Sequence, residues 1–173
     1  RKMRQLKFSI FQNDLAYSSW REIFQKNVDN IDPRPFIEKT CWLNRTNYEK
    51  LKEKFKNNPN IKIILGDFFE HQGQYDLIVE QTFFCALPPT MRQKYVWKMH
   101  QLLSENGILV GLFFNRTFEV SPPFGGSQTE YEQLFKNAFQ FLKLDVATNS
   151  IPQRAKSELF FEFKKDKNAI VNL

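Results

Sequence analysis

The residues best suited to chemistry in this chain stand at the ends of two short apolar runs. Asp67 follows IKIIL and a glycine, and Glu80-Gln81 close YDLIVEQ ahead of TFFCALPP. If both runs are strands of an open α/β sheet, their carboxyl ends border one crevice, the place where such sheets bind ligands. There Asp67 can accept a hydrogen bond from an exocyclic amine, and the backbone N–H of Phe68 can donate to a ring nitrogen. Phe68 or Phe69 can cover an aromatic face. Adenine offers that combination. The same residues also suit a turn after glycine and a plain aromatic core.

Other reactive side chains carry weaker patterns. His71 in a turn and His100 on a helix have no ligand-like neighbours, so surface roles are expected and no metal site. Cys85, in TFFCAL, reads as a small buried apolar residue near the crevice. Arg92, taken alone, reads as an exposed helix charge.

The elements that must position these groups become legible from Asn47 onward. NYEKLKEKFKNNP places Tyr48, Leu51 and Phe55 at helical spacing and stops at proline. Ile61 to Leu65 is short and β-branched, a strand turning at Gly66-Asp67, and Asp76 to Gln81 is the next strand. PPTMRQKYVWKMHQLLSENG begins with prolines and carries Met91, Tyr95, Val96, Met99, Leu102 and Leu103 along one side, with Gly107 as its stop. Ile108 to Phe114 is apolar without alternation, the pattern of a strand covered on both faces. Ser127 three residues before Glu130 forms a capping box for a helix presenting Tyr131, Leu134 and Phe135. FLKLDVAT and ELFFEFKK follow with no room for a crossover helix, so they pair antiparallel. The expected sheet has Ile61–Leu65, Asp76–Gln81 and Ile108–Phe114 adjacent and parallel, with Phe160–Phe163 in the hairpin.

With 173 residues and 42% hydrophobic content, the chain suits one domain. Within 1–173, residues 46–165 carry the readable α/β pattern, 1–45 are atypical and 166–173 form a tail. No apolar run is long enough to span a bilayer. The two cysteines, Cys41 and Cys85, have no CxxC spacing, which fits a reducing cytoplasm. The formal charge of +6 comes from lysines dispersed along amphipathic segments. A small-molecule partner is therefore expected, not nucleic acid or membrane.

GDFFEHQGQYDLIVEQTFFCALPPTMRQKYVWKMHQLLSENGILVGLFFN, with PPFGGSQTEYEQLF and NSIPQRAKSELFF, resembles the thiopurine S-methyltransferase-like family of S-adenosylmethionine-dependent methyltransferases. Bacterial members are the most alike, and the plant thiol and halide methyltransferases are similar. The resemblance runs from Asn47 to about Lys165. It implies a class I, Rossmann-like seven-stranded sheet ending in an antiparallel hairpin, and S-adenosyl-L-methionine as cofactor. It further implies methyl transfer to a small soft nucleophile such as a thiol, a thiopurine-like compound, thiocyanate or halide. By resemblance, Asp67 and Phe68 contact the adenine side of the cofactor, Gln81 lies along it, and Arg92 faces the active site, where it can attract an anionic substrate. The PPFGG stretch is then a flexible loop beside that site. Phe83, Phe84 and Phe124 are expected as pocket walls, and no acid–base catalyst is assigned.

The chain departs from this pattern upstream. The family's glycine-rich loop after the first strand lets backbone amides approach the cofactor, yet no glycine precedes Gly66, and no carboxylate stands between Glu38 and Glu49. Residues 1–45 are expected to be diverged, truncated or altered by a shifted reading frame. The alternative function is accordingly a non-catalytic methyltransferase-like protein with a defective cofactor site.

Overall fold

Five strands pair into one mixed sheet in the computed structural model of the protein, which describes residues 8–12, 45–59, 61–64 and 66–169. The strands are β1 (Phe8–Gln12), β2 (Tyr75–Gln81), β3 (Leu103–Phe114), β4 (Phe139–Val146) and β5 (Glu158–Lys165), in the spatial order β1-β2-β3-β5-β4. β1, β2 and β3 run parallel, while β5 lies antiparallel to both β3 and β4. The expected hairpin and the parallel β2–β3 pair are both present. The seven strands implied by the resemblance extend beyond the five that the described residues form.

One expected strand is corrected. Residues 61–64 are irregular, Leu65 lies outside the described residues, and the place beside β2 belongs to β1, with Gln12 level with Gln81. β-branched content reports how well a segment fits a half-buried pleated surface, not which edge it will join. Ile61, Ile63 and Ile64 are half-buried without pairing.

Among the described residues three α-helices accompany the sheet: α1 (Arg45–Phe55), α2 (Arg92–Leu102) and α3 (Gln128–Phe135). α2 follows a 3-10 turn at Pro89–Met91, where the prolines of the sequence set the entry. It ends at Leu102, and residues up to Gly107 are already extended in β3, five positions earlier than the glycine stop suggested. α3 opens with the expected capping box. The Ser127 side chain accepts from the Glu130 N–H at 3.3 Å, and the Glu130 carboxylate accepts from the Ser127 N–H at 2.7 Å.

Alternation along the strands decides which groups meet. Ile78 of β2, Leu109 and Phe113 of β3, and Leu159, Phe161 and Phe163 of β5 form one core with Tyr95, Val96 and Met99 of α2 and Tyr131 and Phe135 of α3. Leu77, Val79, Gln81, Leu112 and Glu158 therefore line the opposite face. Gly111 pairs with Glu80 across β2–β3, and a Cβ there would lie 2.2 Å from the Glu80 carbonyl oxygen, so only glycine permits this approach. His100, expected at the surface, is buried and sits 2.8 Å from the Asp166 carbonyl oxygen. It lies four residues beyond Val96 on the apolar stripe of α2, which explains the difference. Burial lowers its pKa, opposed by the Asp166 carbonyl. Among the described residues no helix is long and apolar enough to cross a membrane.

Candidate active site

The carboxyl end of β2 is built around a buried carboxylate. Glu80 is fully buried, and its oxygens accept from the Phe83 N–H at 3.1 Å, the Phe84 N–H at 2.9 Å and the Tyr95 hydroxyl at 2.9 Å. Thr82, at φ 61°, reverses the chain direction, and Phe84–Ala86 then close a 3-10 turn. Desolvation by burial pushes the Glu80 pKa up to about 7, against the pull of these three hydrogen bonds. Glu80 and Gln81 were expected to share the crevice, and only Gln81 faces away from the helices. Adjacent strand residues point to opposite faces, so Glu80 turns inward and fixes the crest from below.

Asp67 reaches the same crest through aromatic contacts. It is exposed and caps the 3-10 turn Phe68–Glu70, accepting from the Phe69 N–H at 2.8 Å. The Phe68 ring is buried edge-on to Phe83, with centroids 4.9 Å apart, and stacks over Tyr95 at 5.8 Å. That ring is core, so Phe68 does not present an aromatic face to a ligand. Phe69 is half-buried and has the Lys94 ammonium 4.5 Å from its ring centroid.

Arg92 is not an exposed helix charge. Only 9% of it is accessible, its guanidinium lies 4.8 Å over the Phe84 ring, and it donates to the Gly125 carbonyl at 2.8 Å. The Phe124 N–H donates to the Cys85 carbonyl at 2.6 Å, and the Gly126 N–H to the Arg116 carbonyl at 3.1 Å. The PPFGG stretch, expected to be flexible, is tied to the crest at these points. A Cβ at Gly125 would lie 1.7 Å from the Arg116 carbonyl oxygen, and Gly125→Ala is expected to release the loop. Limited proteolysis between Arg116 and Gly126 should then cut the variant faster than the parent.

Two expected pocket walls, Phe83 and Phe124, are half-buried at the crest. Phe84 is corrected: it is buried against Tyr95, Phe113, Tyr131 and Phe135, and it supports the wall without forming it. Beside the crest, on the face opposite α2 and α3, a narrow recess is lined by Gln81, Thr82, Cys85, Leu112, Phe114 and Glu158. Gln81 is 3% exposed and its amide oxygen has no hydrogen-bond partner. The Cys85 thiol donates to the Thr82 carbonyl at 3.4 Å. Burial and the Glu80 carboxylate push its pKa up to about 12, so it stays protonated. Glu158 pairs with Arg154 at 3.2 Å, and Arg154 lies 5.2 Å over the Phe114 ring.

Glu158, Arg154 and Tyr95 did not stand out in the sequence. Glu158 opens β5 ahead of the apolar run of Leu159, Phe160 and Phe161, which was the available signal. No group of three metal-binding side chains exists among the described residues. Cys41 lies outside them.

The sequence profile of the family described as thiopurine S-methyltransferase (TPMT) matches residues 34–168. The chain belongs to that family. It is similar to the probable thiol methyltransferase 2 of Arabidopsis thaliana, at 35% identity over 98 residues, which are 53% of this chain and 43% of that protein. It is also similar to thiocyanate methyltransferase 1 of Brassica oleracea, at 29% identity over 124 residues, 68% of this chain and 55% of that protein. The chain thus spans about half the length of these curated relatives. The crystal structure of the N-methyltransferase NodS from Bradyrhizobium japonicum WM9 superposes with a TM-score of 0.68 at 12% identity, covering 94% of this chain and 86% of that one. The protein therefore has the class I methyltransferase fold.

One Asp67 oxygen is committed to the turn, and the residue is exposed.

Proposed function

We propose that the protein transfers a methyl group from S-adenosylmethionine to a small soft nucleophile: a thiol, a thiopurine-like heterocycle, thiocyanate or a halide. The observation that carries this reading is the meeting of the Asp67 turn with the Gln81 crest, through Phe68 and Phe83, in a chain of a methyltransferase family. The names of the thiol and thiocyanate methyltransferase relatives support the acceptor class. In this reading residues 1–173 act as one domain in a reducing cytoplasm, on free small molecules and not on nucleic acid.

Asp67 and the Phe68 backbone would hold the adenine end of the cofactor, and the end of β2 at Gln81 would border its reactive end. When bound, S-adenosylmethionine supplies an electrophilic methyl carbon for in-line displacement. The chain's own part is alignment and dryness. Phe83 and Phe124 exclude water from the acceptor, and Glu80 keeps Phe83 in place through its backbone N–H. A thiolate or halide needs no strong base, and the protonated Cys85 does not compete as a nucleophile. Arg92 would act mainly by fixing the Gly125 loop over the crest, with its charge available to an anionic acceptor at close range.

A second reading, a methyltransferase-like protein with a defective cofactor site, is favoured by one observation: no glycine stands between β1 and Gly66. Missing backbone contacts there, at about 1.5 to 3 kcal/mol each for charge-assisted hydrogen bonds, would lower affinity by orders of magnitude. The two readings separate in one assay with labelled S-adenosylmethionine and a thiol acceptor. It compares the 173-residue chain with a version carrying a glycine-bearing loop after β1. Methylthioether formed by the repaired version alone supports the defective-site reading of this chain, and inactivity of both removes the methyl-transfer proposal. Substituting Asp67→Ala is expected to weaken S-adenosylhomocysteine binding by about 1 to 3 kcal/mol, read by calorimetry.

A further inference from the structure

We infer that Glu80 is a proton-operated latch on the crest turn: as a carboxylate it holds the turn, and taking up one proton breaks its bond from the Phe83 N–H and loosens the wall that Phe83 presents. The latch stands on the hydrogen bonds of the turn, while its effect on cofactor and acceptor rests on the methyl-transfer reading. Three donors converge on two oxygens. Oε1 accepts from the Phe83 N–H at 3.1 Å, and Oε2 accepts from both the Phe84 N–H and the Tyr95 hydroxyl at 2.9 Å. An ionised carboxylate can accept all three, whereas a carboxylic acid has a proton of its own to donate. A proton on Oε2 would have to be received by the Tyr95 oxygen, which strands the hydroxyl proton of a fully buried tyrosine. A proton on Oε1 competes only with the Phe83 N–H, the longest of the three bonds and the one at a half-buried residue. That bond is therefore the one to give. Thr82, β-branched and at φ 61°, adds strain that persists only while its surroundings hold the turn.

The titratable and charged groups around Glu80 leave it as the one that changes state near neutrality. α2 brings Tyr95 and the Arg92 guanidinium, α3 brings Tyr131, and the crest turn brings Cys85. β1 and β3 place Phe11 and Gly111 level with Glu80, and neither titrates. Burial pushes both tyrosines above the ordinary tyrosine range and Cys85 up to about 12, so all three stay neutral. The guanidinium is a fixed charge. The neighbouring turn carries Asp67 and Glu70, both exposed. Desolvation raises Glu80 itself to about 7. Because that folded value is raised, Glu80's contribution to global stability is present at low pH and lost as pH rises through it. The latch runs the other way, closed above that value and open below it. A residue that only supported the fold would not separate the two.

The test is a pH titration of the isotope-labelled 173-residue chain by NMR, following the Glu80 carboxyl carbon and the Phe83 and Phe84 amides from about pH 5 to about pH 9. The Glu80 carbon and the Phe83 amide should move together through one inflection near neutrality. Protection of the Phe83 amide against hydrogen exchange should drop about fivefold or more on the acid side. Glu80→Gln, which offers one oxygen to three donors, should remove the inflection at Phe83 and keep that amide weakly protected at every pH. Tyr95→Phe deletes a bond that favours the charged form, so the inflection should move to higher pH with Phe83 still following it. A Glu80 carbon without an inflection in this window, a Phe83 amide indifferent to it, a Phe83 inflection that survives Glu80→Gln, or one unmoved by Tyr95→Phe would overturn the inference. S-adenosylhomocysteine added on both sides of the inflection separates the latch from the methyl-transfer reading. Affinity that rises about threefold or more toward high pH in the parent, and stays level in Glu80→Gln, ties the latch to the cofactor. Equal affinity on both sides would overturn that tie. A latch that operates with no response to S-adenosylhomocysteine would leave the inference standing and remove the cofactor reading.

Discussion

Replacing Glu80 with alanine is expected to destabilise the protein by about 3 kcal/mol at neutral pH. The substitution leaves the Phe83 N–H, the Phe84 N–H and the Tyr95 hydroxyl without an acceptor. Unpaired buried groups cost about 1 to 3 kcal/mol each. Against this stands relief from burying an ionisable group whose pKa has moved from 4.5 to about 7, worth up to roughly 3 kcal/mol. The balance remains unfavourable. The pH dependence has a definite sign: the folded pKa is raised, so the folded state binds more protons between 4.5 and about 7. Glu80's contribution is therefore fully present below the unfolded value and is lost as pH rises through the folded one. Denaturant unfolding of the parent and of Glu80→Gln across this window should show the stability difference falling by up to about 3 kcal/mol toward high pH. A flat difference would contradict the buried-carboxylate account.

Phe113→Ala should cost more, about 3 to 5 kcal/mol. Phe113 is buried and stacks on Phe161 at 4.0 Å, with Tyr131 at 4.7 Å and Phe84 at 4.8 Å. Its loss opens a cavity among rigid rings that cannot collapse to fill it. Because Phe84 stands directly beneath the crest turn, the effect should reach the site. Chemical denaturation should give a lower midpoint with an unchanged slope, and hydrogen exchange at the Phe83 and Phe84 amides should accelerate. An effect below about 1 kcal/mol would mean that these rings are not a load-sharing core.

The parts of the fold legible in the sequence were those with local rules. Ser127 and Glu130 announced a helix start through a capping pattern that needs only four residues. β4 and β5 were legible because nothing between them could cross over. The strand beside β2 was not, because IKIIL and FSIFQ have similar local character and only pairing distinguishes them. At the site, Asp67, Gln81, Phe83 and Phe124 came from position at strand ends and from resemblance; Phe83 follows Gln81 and meets the Phe68 ring, and the Phe124 N–H donates to the Cys85 carbonyl. Glu80 and Gln81 are adjacent in β2, and the two-residue period of a strand sends only Gln81 to the crevice face. Arg92 needed the tertiary structure, since its partner, the Gly125 carbonyl, lies 33 residues away.

We expect S-adenosylmethionine to bind where the Asp67 turn meets the end of β2. An NMR titration of the labelled chain with S-adenosylhomocysteine reads this even at weak affinity. Saturable shifts are expected at the amides of Asp67, Phe68 and Phe69 and of Gln81 to Cys85, displaced to higher ligand concentration by Asp67→Ala. Saturable shifts confined to the β4–β5 hairpin, or none at either segment, would contradict it.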